Sequence, residues 1–316
     1  MARDIRMNPA RQTNLAFEIV VSHYNEDLTW LKEHSAECCV YSKGGEKNTP
    51  GLPFTFTPLP NIGREGHTFL YHIVNHYENL AEVTLFVQGR IDDHVDMTLA
   101  EMKAKARTTA AGQVTTYPFR ELELFEHWEG IPWDKYPCWK RWSSMATQKM
   151  PETPGVLFQK YISESDRLPV AIGFAPGAIF AVKKETIMIH SLAFDERLLQ
   201  KMFLGEMAHV NPETGHYMER FWLALFNPAE YVQWDHSDLS KTERNTDGQL
   251  AKGRWYRTPM GSSVDLGAMR RGEELDSPTS PISPVAGSFG TSESSETELS
   301  TMTDEEFPEH KSSIGM

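Results

Sequence analysis

The chain has little of what marks several large protein classes. Three cysteines in 316 residues, Cys38, Cys39 and Cys138, cannot build a disulfide framework, and no CxxC pair offers metal-site spacing. Free thiols fit a reducing compartment. No run of 18 apolar residues occurs, and Met1–Ala16 lacks the apolar stretch of a signal peptide. A soluble, cytoplasmic protein with no membrane contact is therefore expected. Basic residues are also scarce, 31 Lys and Arg against 44 Asp and Glu, for a formal charge of −13. That excludes a chain wrapped in nucleic acid through an overall basic surface. Missing too are a nucleophile elbow, an HExxH helix, a Walker loop and a dinucleotide fingerprint.

What is present divides into three parts. Residues 1–14 read as a frayed start. From Met260 to Met316 there are 17 Ser or Thr, two aromatics and a net charge of −8, with Ser277-Pro278-Thr279-Ser280-Pro281 and Ser283-Pro284 close together. Such a segment buries too little apolar area to offset chain entropy, so a disordered acidic tail is expected. Between them, residues 15–259 are expected to form one catalytic domain in which strands alternate with helices. Phe17–Ser22, Cys38–Tyr41, Val83–Gln88 and Gly177–Val182 have the β-branched, apolar look of buried strands. Helical spacing covers His67–Leu80, with helices also expected at Asp27–His34, Ala100–Ala111, Glu185–Phe203 and Gly215–Phe226. Residues 117–154, rich in Trp and Pro, read as an irregular insertion. The alternation predicts an α/β fold with a mainly parallel sheet flanked by helices, Rossmann-like or nucleotide-sugar-transferase-like.

In such sheets ligands lie beyond the carboxyl ends of the strands. Three polar clusters stand there. Ser22-His23-Tyr24-Asn25-Glu26-Asp27 follows the first strand and supplies an imidazole, an amide and two carboxylates; one of Asn25 and Asp27 is accounted for as a helix cap. Pro60-Asn61-Ile62-Gly63-Arg64-Glu65-Gly66-His67 feeds the amphipathic helix, whose N-terminus offers N–H groups to a carboxylate, phosphate or ribose. A tight turn with Arg64 paired to Glu65 is the plainer alternative. Gln88-Gly89-Arg90-Ile91-Asp92-Asp93-His94 follows the third strand, and its acidic pair suits either a divalent cation or a guanidinium. Glu219-Arg220, in a helix with Phe221 and Trp222, reads more simply as a structural ion pair than as part of the site. Lys135, Lys140, Arg141 and Lys149 interleave with Trp139 and Trp142, with Lys103, Lys105 and Arg107 nearby in sequence. They are the best candidates for contact with nucleic acid, although a solvated surface is an equal reading.

Val21–Leu31, Pro60–Thr68 and Phe86–Gly89, with Gly177–Val182 and Glu219–Trp222 behind them, resemble a domain-of-unknown-function family of fungi and bacteria. Within it the chain is similar to the fungal arginine-containing cyclodipeptide synthases, over roughly Phe17–Phe226. The resemblance implies condensation of arginine with a second amino acid into a diketopiperazine, from arginyl-tRNA and a second aminoacyl-tRNA. No cofactor is implied, because aminoacyl-tRNA is already an activated ester. His23 or Glu26 would then be the base, with Asp92 and Asp93 also in catalytic positions. Glu65, Asp92 or Asp93 would pair with the guanidinium, and Arg64 would face a carbonyl oxygen or the terminal ribose-phosphate. Asn25, Asn61, His67, Gln88, Arg90, His94 and Glu219 complete the expected substrate contacts. Ser22 is the one serine at a strand end, and nothing in the sequence activates it. A second reading is a metal-dependent glycosyltransferase of the nucleotide-sugar type, with Asp92 and Asp93 on the cation and Glu219 as base. A third, non-enzymatic reading uses the Ser-Pro tail for regulation and leaves the strand-end clusters unexplained.

Overall fold

The computed structural model describes residues 15–44, 53–117, 122–135 and 148–235. The expected frayed start and acidic tail lie outside the described residues. Strands β1 (Glu18–His23), β2 (Cys38–Ser42), β3 (Phe56–Pro58), β4 (Val83–Gln88), β5 (Val114–Thr116) and β8 (Phe180–Lys183) form one sheet in the order β3-β2-β1-β4-β8-β5. A small antiparallel sheet joins β6 (Glu123–Phe125), β7 (Ala171–Phe174) and β9 (Val232–Gln233).

β1 is the apolar strand its sequence promises, and it runs parallel to β2 and β4. Side chains alternate along it. Val20 faces an aromatic layer with Phe69, Phe86, Phe180 and Trp222, while Ile19 and Val21 face an aliphatic layer with Leu31, Leu85 and Met102. Burial on both faces is what a parallel sheet between helices requires. The aromatic side is covered by α1 (Arg64–His76) and α6 (Glu213–Phe226), the aliphatic side by α2 (Leu99–Arg107) and a 3₁₀ segment, Thr29–Glu37. The Thr98 hydroxyl and Glu101 carboxylate close a reciprocal cap on α2. α6 is buried around nearly its whole circumference. Polar groups on such a helix must find partners inside the protein.

Three expectations change. β8 is antiparallel to β4, and β5 is antiparallel to β8, so one inverted strand interrupts an otherwise parallel sheet. Gly177 and Ala178, expected to begin that strand, instead precede it in a left-handed turn (φ 88° and 51°). The expected helix Glu185–Phe203 is two helices, α4 (Lys184–Ile187) and α5 (Leu192–Phe203), because the Ser191 hydroxyl accepts the Phe194 N–H and starts a new one. The insertion is not wholly irregular. It contributes β6, and Trp128 and Trp133 are buried beside α6 and α3 (Pro154–Tyr161). A last short helix, α7 (Pro228–Tyr231), leads into β9. Among the described residues no helix is long and apolar enough to cross a membrane.

Candidate functional site

Because β8 is inverted, its leading turn arrives at the edge where β1, β2 and β4 end. There the Gln88 amide donates to the Gly177 carbonyl at 2.5 Å, and the Gly177 N–H donates to Glu219 at 2.8 Å. His94 packs on Gly177 so closely that a Cβ there would lie 2.6 Å from its ring. Residues 88, 94, 177 and 219 thus meet at one point, and Glu219 is part of the strand-edge assembly, not only a structural pair.

A cleft of about 790 Å³ opens between the segments that follow β1 and β4, and none of Gln88, His94, Gly177 and Glu219 lines it. Glu26, Asp27 and Trp30 from the segment after β1, and Gly89, Arg90 and Asp92 from the segment after β4, line it together with Met97 and Leu99. Glu26 Oε2 accepts the Tyr24 N–H at 2.7 Å, and the Trp30 indole N–H donates to the Gly89 carbonyl at 3.0 Å. A Cβ on residue 89 would sit 2.6 Å from Glu26 Oε2, so glycine gives that carboxylate its room. Asp27 accepts the Thr29 N–H at 2.9 Å in a local turn, while Leu28, not Asp27, is the N-cap of the 3₁₀ segment; the Asp27 carboxyl is held below the usual range by the Thr29 hydroxyl and N–H. Asn25 is exposed, and its side chain and the Tyr24 carbonyl lie against Gly44. Arg90 and Asp92, both well exposed, pair at 2.6 Å; Asp93 stands 3.8 Å from His94.

His23 is placed differently from the expectation of a base open to substrate. It is 1% exposed, with Nδ1 3.2 Å from the Ser42 hydroxyl and Nε2 3.2 Å from the Glu26 carbonyl. Burial pushes its pKa below the ordinary value, against the pull of Glu26. It is a neutral ring that fastens the Glu26 loop to β2. Ser22 shares a 3.0 Å hydrogen bond with the Thr68 hydroxyl, which is not an activating base.

The turn before α1 is sealed. Added Cβ atoms on Gly63 and Gly66 would each come within 2.5 Å of the Phe203 ring, so these glycines admit an aromatic side chain, not a phosphate. His67 is buried against Tyr71 and Phe203, its pKa pushed down to about 3 by burial and by Lys43. It faces the core, not substrate. Glu65 is buried too, and Asn61 is exposed on the preceding loop. Arg64 remains accessible: its Nε lies 3.7 Å from Glu65, and its Nη1 donates to Asn211 at 3.4 Å. Its φ of 50° follows Gly63 at 64°. Arg64 and Ala178 are two of the three non-glycine residues with positive φ among the described residues, and both flank this edge.

Several members were invisible as sequence. Lys43, just past β2, donates to the carbonyls of Ile62, at 2.7 Å, and Arg64; burial pulls its pKa down to about 7 despite Glu65. His216, one turn before Arg220, is held to about 3 by burial and by Arg64 and Arg220. Burial would raise the Glu219 pKa, but Arg220, the Gly177 N–H, His216 and Arg64 outweigh it, leaving an ionised carboxylate. Such partners are set by tertiary approach, and only the charged residues on an otherwise apolar α6 hinted at them.

Only part of the expected basic patch lies among the described residues, and its lysines and arginine there have local partners. Lys103 and Arg107 bind Glu37, Lys105 donates to the Thr116 carbonyl at 2.8 Å, and Lys149 lies 3.4 Å from Glu213 and over the Trp133 ring. The Lys135 side chain, Lys140 and Arg141 lie outside the described residues. A second depression of about 980 Å³ lies between α3 and α5; Lys201 in its lining pairs with Glu152, and no strand-end residue reaches it.

The family model described as a protein of unknown function, DUF3431, matches residues 19–239. The chain belongs to that family. No curated protein and no solved structure matches this DUF3431 member. The match spans both the cleft and the Glu219 cluster.

Proposed function

We propose that this DUF3431 member is an aminoacyl-tRNA-dependent cyclodipeptide synthase that joins arginine to a second amino acid. The observation that carries the reading is the acidic cleft beside Gly89. Glu26 and Asp27 line it next to the Trp30 indole, and Asp92, also in the wall, is paired with Arg90. Carboxylates pair with the guanidinium and ammonium of an arginyl group, and an indole face suits a guanidinium plane. The fungal arginine-containing cyclodipeptide synthases that the chain resembles act on such a group.

In this reading Glu26 takes the proton of the attacking amine. The amine nitrogen bonds to the ester carbonyl carbon, the carbon–oxygen bond breaks, and the tRNA 3′-hydroxyl leaves with a proton. Repetition on the second ester closes the ring. His23 positions Glu26, since its Nε2 holds the Glu26 carbonyl. Arg64, which also contacts Glu65 and Asn211, is the cation at the α1 N-terminus that would face a carbonyl oxygen or a terminal phosphate. The acceptor end of tRNA needs few phosphate contacts, which a mildly acidic body allows.

The position of Asp92 and Asp93 after β4 favours one further reading, a nucleotide-sugar glycosyltransferase. The residues fit its cation poorly: Arg90 takes Asp92, and neither aspartate belongs to a cluster of three donors at metal-binding distance among the described residues.

Expression in a microbial host followed by mass spectrometry of the products tests the proposal. An arginine-containing cyclic dipeptide is expected, and it should vanish in Glu26→Gln and Asp92→Asn strains. Absence of that product, with manganese-dependent turnover of a nucleotide sugar, overturns it.

A further inference from the structure

At the other end of α1 a different chemistry gathers. His72 and His76 stand one turn apart on the same helix face, their ring centroids 4.8 Å apart. Opposite them on β2, Cys39 packs toward the α1 layer and Cys38 toward the other side of the sheet. One donor atom from each of Cys39, His72 and His76 lies within 4.8 Å of the other two. We propose that these three residues form a metal site for a zinc-type divalent ion, clamping α1 to β2.

The surroundings have the form that orients metal ligands. His72 Nε2 lies 3.2 Å from Glu18 Oε1, and Glu18 is 1% exposed. With that nitrogen donating to the carboxylate, Nδ1 keeps its lone pair toward the cluster. A carboxylate behind a ligating imidazole fixes its tautomer and raises its basicity. The Tyr41 hydroxyl oxygen lies 3.0 Å from His72 Nδ1 and 3.1 Å from His76 Nε2, marking the point on which both rings converge. An ion among these donors takes Cys39, His72 and His76, and the Tyr41 hydroxyl shifts off that point to become the fourth ligand or to make way for a water.

Tetrahedral bonds of about 2.0–2.3 Å put donors roughly 3.3–3.8 Å apart, so closure needs a movement of about 1 Å. A divalent ion with one thiolate and two neutral imidazoles carries a single positive charge, which the buried Glu18 carboxylate balances. Cys39 and His76 are half-buried, which leaves a way in from solvent, whereas His72 is fully buried. Thiolate with imidazole selects zinc and its congeners over magnesium or calcium.

The site is separate from the cleft. His72 and His76 follow Arg64 by 8 and 12 residues, about 12–18 Å along the helix. The clamp is structural, and it stands whether or not the cyclodipeptide reading does.

The test is cobalt titration of the metal-stripped full chain, with elemental analysis of the chain as purified. A thiolate-to-cobalt charge-transfer band at one equivalent is expected in the wild type, Cys38→Ser and Cys138→Ser. Cys39→Ser should lose the band, and His76→Gln should weaken cobalt affinity at least tenfold. Zinc should raise the wild-type melting temperature and leave that of Cys39→Ser unchanged. A folded wild-type chain that shows no band in excess cobalt overturns the proposal without any variant. A band that survives Cys39→Ser also overturns it.

Discussion

The loop after β1 and the turn before α1 stand at the same edge of the sheet, and each sets charged residues beside glycine. In the first, Tyr24 is 48% exposed and Glu26 leans over Gly89 into a cleft. In the second, Glu65 and His67 are buried while Gly63 and Gly66 press on Phe203. The missing Cβ makes space in both places. At Gly89 a carboxylate fills it; at Gly63 and Gly66 an aromatic ring does. Glycine beside charge therefore signals close approach, and the approaching group decides whether the result is a site or a joint.

Three experiments sharpen that contrast. The largest effect belongs to the open loop. Glu26→Gln should lower product formation by about 10²–10⁴-fold, the range for loss of a general base, with the melting temperature nearly unchanged. Gly89→Ala should imitate it by displacing the same carboxylate; kinetics beside thermal melts decide the matter, and a stable, fully active Gly89→Ala chain would equate the two regions.

The sealed turn should respond the other way. Gly63→Ala forces a Cβ into a left-handed backbone and onto Phe203, at a cost of about 2–4 kcal/mol. Denaturant unfolding should register that loss while the remaining folded protein keeps its turnover. Adding Phe203→Leu should recover the part due to crowding but not the part due to φ.

The smallest effect is a pH dependence. The folded-state pKa of His67 is about 3, below the ordinary 6.5. As pH falls through 6.5 the unfolded chain takes up a proton that the folded chain refuses, so stability is lost toward acid. Between there and about pH 5 the loss is at most about 2 kcal/mol. Melting curves of His67→Gln should fall less steeply over that interval than those of the wild type.

Periodicity in the sequence announced β1, β2, β4 and both long helices, since each buries a continuous apolar face. It could not announce the inversion of β8, whose run Phe180-Ala181-Val182 reads the same in either direction. Nor could it show the small sheet, because β6, β7 and β9 are two to four residues long. The polar segments were located correctly at the strand ends. Which side chains opened to solvent was not legible, since Phe203 and Ser42, which cover His67 and His23, come from distant or unremarked positions. Lys43 gave no signal at all: a single lysine after a strand looks like surface until α1 covers it.

The inverted strand also sets an order of events during synthesis. Among the described residues β5 has β8 as its sole neighbour in the large sheet, and β8 is also what covers the other edge of β4. Both must wait until residues 180–183 leave the ribosome, more than 60 residues after β5 itself. At about 5–20 residues per second that is a delay of several seconds. Meanwhile the apolar edge Val83–Gln88 is open to any passing strand, which makes the nascent chain most vulnerable to aggregation, and to chaperone capture, in that window.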